Sequence, residues 1–268
     1  MRTVRIPHPS RSTLAAGALL AACASPSGPP TDSDEWLRAV APGVVLEYRA
    51  EDAQAAPAML ERIAGGRTVA AAFLGLAYTR DVTVRVHPTG DSFAEEWRRV
   101  TGAAPQCWMI ANGTAAGVVM LSPRVWSTAA CGHDGTNAAY VQGVTTHELV
   151  HVLQHQHNAD PVRLQREAEW FEEGLAVLAA GQLDAPARAA VRQRVQAGFA
   201  PATLAEAWSG TPIPYAVGGS LVHYVDSVHG RAALHGLLAE TTAAGLLARL
   251  DVSEAAFLDG WRAFAAAY

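Results

Sequence analysis

Residues His147-Glu148-Leu149-Val150-His151 are the densest group of chemistry-bearing side chains in the sequence. On a helix, residues four apart sit one turn apart and about 40° round the axis. Both imidazoles then project from one face, close enough to share a metal ion. Glu148 falls beside that ion rather than on it, where a carboxylate can take a proton from an activated water. Two neutral imidazoles and a carboxylate suit zinc (Zn2+), with a fourth position open to water. Zinc brings the pKa of such a water to roughly 7. Val144, Leu149, Val150, Val152 and Leu153 make the surrounding helix apolar round most of its circumference, which predicts burial. Buried imidazole and carboxylate groups cost free energy unless something satisfies them, and a metal ion does so.

Two candidates compete for the third ligand. The spacing His147-x3-His151-x5-His157 is similar to the metzincin ligand set. That set needs Gly where this chain has Gln154, and a downstream Met, whereas Met1, Met59, Met109 and Met120 all precede the helix. The other candidate is a carboxylate on the next helix. HELVHVLQ followed by Trp170-Phe171-Glu172-Glu173-Gly174-Leu175-Ala176 resembles the gluzincin peptidases, in particular the peptidase-MA-like group. The resemblance implies that Glu173 is the third ligand, one zinc is held per chain, and the fold is zincin-like. Glu172, about 100° round the helix, is the fallback. Gly174 is expected to let the two ligand helices approach closely.

The resemblance extends over about residues 80–265. It implies that Gly117 to Pro123 forms the edge strand of a cleft, able to pair with an extended peptide. It also places Tyr215, Gly219, Ser220 and Tyr224 on the helix after the ligand helix. One departure is Val177, one turn beyond Glu173, where relatives carry a polar or acidic residue. A ligand His must then be oriented from elsewhere, with Glu167, Glu169 and Glu172 as candidates. A donor to the developing oxyanion is also needed. Tyr215 is the choice, with His223 and Tyr140 as alternatives. His133 reads as an exposed loop residue and His155 as a helix-end charge.

The elements that must position these groups are strands in the first half and helices in the second, an α+β pattern. Val44 to Tyr48 and Val82 to Val86 read as strands. Cys107 to Ile110 and Gly117 to Leu121 read as two more, joined at Asn112-Gly113. Residues 52–76 read as helical with a break at Gly65-Gly66. Asp91 or Ser92 is expected to cap a helix running through Val100. Further helices are expected over 137–155, 164–180, 186–197, 214–228, 231–248 with a break, and 253–267. This makes a small mixed sheet, an active-site helix and a mainly helical C-terminal half.

Half of the 268 residues are hydrophobic and 17% are charged, which excludes a disordered chain. The net charge is −5 and no Arg tract lies beyond the N-terminal segment, so nucleic acid is not an expected partner. Arg2, Arg5 and Arg11 precede a short apolar run, Leu14 to Ala22, too brief to span a bilayer. Leu20-Ala21-Ala22-Cys23 resembles a bacterial lipobox. Residues 1–22 are then a signal peptide, Cys23 carries a lipid anchor to the cell membrane, 23–35 is a tether, and 36–268 is one catalytic domain. Removing 1–22 takes away three Arg and no acid, moving the charge from −5 to −8. An exported chain is oxidised, so Cys107 and Cys131 are expected to pair.

The function these readings imply is a monomeric, extracytoplasmic zinc peptidase. It hydrolyses peptide or protein substrates with a metal-activated water and Glu148 as general base. The alternative is a non-catalytic zincin-fold lipoprotein serving as an envelope binding or assembly factor. A zinc hydrolase acting on another bond is a third possibility.

Overall fold

The computed structural model describes Thr3, Val4 and residues 35–268. Cys23, most of the expected leader and all but the end of the tether lie outside the described residues. The chain is mixed α/β, with the sheet in the N-terminal part and helices dominating the rest. Among the described residues no helix is long and apolar enough to cross a membrane.

The sheet is built from β1 (Thr3–Val4), β2 (Leu37–Ala41), β3 (Val44–Tyr48), β4 (Val82–His87), β5 (Ala111–Thr114) and β6 (Gly117–Leu121). Their order is β1-β2-β3-β4-β6-β5. β2 and β3 form a tight hairpin, and Gly43 at its turn has φ +74°, a conformation that favours glycine. β3, β4 and β6 run parallel, joined by helix α1 (Ala56–Leu74) and helix α2 (Gly90–Thr101). Crossover connections are therefore present, which the α+β reading had set aside. β5 returns antiparallel to β6 and forms the edge.

Three local expectations change. α1 runs unbroken through Gly65-Gly66. A Cβ on Gly66 would stand 2.9 Å from Leu149 Cδ1 and from Thr146 Oγ1, so this glycine admits a neighbouring helix rather than ending its own. The cap of α2 is Thr89, whose hydroxyl accepts from the Ser92 amide. Asn112-Gly113 lies inside β5, and the turn falls at Ala115-Ala116.

After the short helix α3 (Trp126–Ala129) comes α4 (Ala138–His157), capped by Asn137, whose side chain accepts from the amides of Ala139 and Tyr140. α5 (Pro161–Ala179) starts at an Asp160 cap and kinks at Ala168 (φ −149°, ψ 39°). Then follow α6 (Ala185–Gln196), α7 (Leu204–Ser209), α8 (Pro214–Tyr224) with a π turn over Val225–His229, α9 (Arg231–Gly236), α10 (Ala243–Arg249) and α11 (Glu254–Ala266).

Two hydrophobic cores meet at α4. Val141, Val144, Leu149 and Val152 join the core beneath the sheet with Val84, Met120 and Trp126. Val150 and Leu153 join the helical core with Leu164, Phe171 and Leu175. α4 is thus enclosed from both sides, and its HExxH segment is fixed by packing on either hand.

Cys107 and Cys131 are bonded, with Cα atoms 5.2 Å apart. The loop they close contains both strands of the β5–β6 hairpin. His133, just beyond it, is no free loop residue: one ring nitrogen meets the Tyr140 hydroxyl at 2.6 Å and the other the Trp108 carbonyl at 2.7 Å. This ties the loop to the start of α4. In the chain-entropy model, a bond closing 24 residues stabilises by about 3 kcal/mol. Reduction is expected to lower Tm by several degrees in a calorimetric scan; an unchanged Tm contradicts this.

Candidate metal centre

α4 and α5 bring His147, His151 and Glu173 together. The Nε2 atoms of His147 and His151 are 3.0 Å apart, and Glu173 Oε2 lies 3.0 Å from the first and 3.4 Å from the second. A tetrahedral ion with bonds of about 2.0–2.1 Å needs donor atoms about 3.3–3.4 Å apart. The triangle is close to that size. Its three donors fit a divalent cation in kind as well, two imidazoles and one carboxylate. All three side chains are 15% exposed or less.

The electrostatics point the same way. Burial alone would depress the His151 imidazolium, but the Glu173 carboxylate more than offsets this and lifts its pKa to about 10. Burial alone would raise Glu173, yet the facing imidazoles hold it well below the usual carboxylate range. The cluster is therefore arranged to hold positive charge beside Glu173.

Glu148 is buried, 8% exposed, on the side of α4 that faces the sheet edge. The Gly113 amide of β5 faces its carboxylate. Burial raises its pKa, against the pull of His147 and His151. A Cβ on Gly113 would stand 2.3 Å from the Glu148 carbonyl oxygen and 3.1 Å from His151 Cβ. Only glycine lets the strand approach the helix this closely. The strand beside the centre is thus β5; Gly117 to Leu121 is an interior strand, contrary to the expected edge.

Gly174 does permit a close approach, but between α5 and α8. A Cβ there would lie 2.3 Å from the Gly218 carbonyl oxygen. Val177 packs against Gly219 in the same seam. The polar partner that Val177 cannot supply comes from Gln182, whose Oε1 lies 2.8 Å from His147 Nδ1. A ring N–H donated there leaves Nε2 free to face Glu173. None of the three expected acids takes this role. Glu167 pairs with Arg163 and Arg166, Glu169 accepts from the Trp208 indole at 2.8 Å, and Glu172 meets His155 at 2.5 Å. Glu172 is accordingly not the third member of the triad. His155 is partnered and largely buried instead of standing as a free helix-end charge.

Tyr215, at the start of α8, holds its ring centroid 6.2 Å from that of His147 and packs edge-on against Trp208. Tyr215 is 39% exposed, yet the protein crowded round its hydroxyl, and then the charges of Glu173, Glu148 and Glu169, push it above the ordinary phenol range. The other donors lie elsewhere: Tyr140 is held by His133, and His223 stacks on Tyr268. His157 reaches the Ala77 carbonyl at 2.7 Å and takes no part in the triad, which removes the metzincin-like arrangement.

A comparison with protein-family models finds no match, and a comparison with curated proteins finds no relative.

Gln182→Ala is expected to weaken metal binding about 10–100-fold, as loss of a group orienting a ligand does, while leaving Tm of the metal-free chain nearly unchanged. Competition with a chelator of known affinity measures this. Unaltered affinity removes Gln182 from the centre.

Proposed function

We propose that this chain is a zinc-dependent peptidase of the gluzincin type with a zincin-like fold. The observation that carries the reading is the His147–His151–Glu173 triangle with Glu148 buried on the same helix turn. His147, His151 and Glu173 would hold the ion. Zinc, when bound, supplies the Lewis-acid charge that makes water acidic and polarises a carbonyl.

The chain's own groups do the rest. Glu148 takes a proton from the attacking water and passes it to the leaving nitrogen. The Gly113 amide faces that carboxylate between transfers. β5 ends the sheet among the described residues, and an edge strand of this kind suits an extended peptide or protein substrate. Tyr215, kept protonated by its surroundings, donates to the oxyanion.

The lipobox-like segment ending at Cys23 supports a membrane-anchored, extracytoplasmic setting, and the Cys107–Cys131 bond suits such an oxidising space.

Glu148→Gln is expected to lower kcat/KM for a mixed peptide library by about 10²–10⁴-fold or more with zinc content unchanged. Glu173→Ala is expected to lose zinc and activity together. Hydrolysis that survives Glu148→Gln overturns the mechanism.

A further inference from the structure

We propose that His155 and Glu172, sharing His151, form a second cation site beside the first triad, suited to zinc. Histidine recurs every fourth residue along α4 at positions 147, 151 and 155, which makes one stripe on the helix. The last member turns inward. The His155 side chain is 12% exposed and its Nε2 lies 2.5 Å from Oε1 of Glu172, itself a buried residue. One ligating atom from each of His151, His155 and Glu172 falls within 4.8 Å of the others.

His155 satisfies only one oxygen of that carboxylate. Glu172 Oε2 and His151 Nδ1 are both buried and have no hydrogen-bond partner. Among the described residues, each of these two groups is a buried polar atom left without a partner, which is costly. A cation drawn in by the three side chains removes both deficits. Two imidazoles and a carboxylate form the same kind of donor set as the first centre, which favours zinc over the oxygen-seeking ions. His151 would face the first ion through Nε2 and the second through Nδ1, so filling both sites releases its ring proton to solvent, and the second ion binds more weakly than the first.

The inference rests on the proposed zinc centre only through His151, and zinc titration of the metal-free full chain separates the two. Calorimetry with metal analysis is expected to show one tight equivalent and a second, weaker one. Glu172→Gln and His155→Asn should each lose the second and keep the first, whereas His147→Gln should lose the first and keep the second. A single equivalent at saturating zinc, or a second one that survives both Glu172→Gln and His155→Asn, overturns the site. Cobalt(II) titration of the unaltered chain needs no variant to fold. Two successive steps in visible absorption are expected, and a single step overturns the proposal. A weak equivalent with no tight one supports the second site and overturns the proposed peptidase centre.

Discussion

Two imidazole nitrogens and a carboxylate oxygen held about 3 Å apart inside the protein are the constraint on which the architecture turns. Bare lone pairs at that spacing repel, and a buried carboxylate without a counter-charge is costly. A positive charge between them reverses both effects. The packing round α4 keeps the side chains from swinging out to water. Sheet residues grip one side of the helix, and the helical core grips the other.

Small residues decide how closely the parts can meet. Gly66 admits α4 against α1, Gly113 admits β5 against α4, and Gly174 admits α8 against α5. Each replaces a side chain with a backbone contact. Together they bring Glu148 and the two histidines of α4, Glu173 of the kinked α5 and Tyr215 of α8 close to one another. In α5 the change of direction at Ala168 precedes the turn carrying Glu172 and Glu173, which face separate histidines.

The parts legible in the sequence were those governed by local pattern. The HExxH helix and the strand at Val82 announced themselves through periodicity, and the choice of Glu173 came from a motif. The misreadings share another cause. Gly65-Gly66 and Asn112-Gly113 look like breaks or turns to a local reading, yet Gly66 and Gly113 answer to distant neighbours. Gln182 carried no signal, because a single amide 35 residues from His147 belongs to no recognisable spacing. His155 reads in the sequence as a helix-end charge and Glu172 as a fallback ligand, because pairing across two helices leaves no mark on either one. Trp208, which packs on Tyr215 and donates to Glu169, carries no sequence signal for the same reason.

The most direct test of the central claim is an anomalous difference map at the zinc absorption edge, from crystals of the full chain grown with zinc. The strongest peak should lie about 2.0–2.2 Å from His147 Nε2, His151 Nε2 and a Glu173 oxygen. A strongest peak elsewhere, or an ion on the two histidines with Glu173 turned away, contradicts the account.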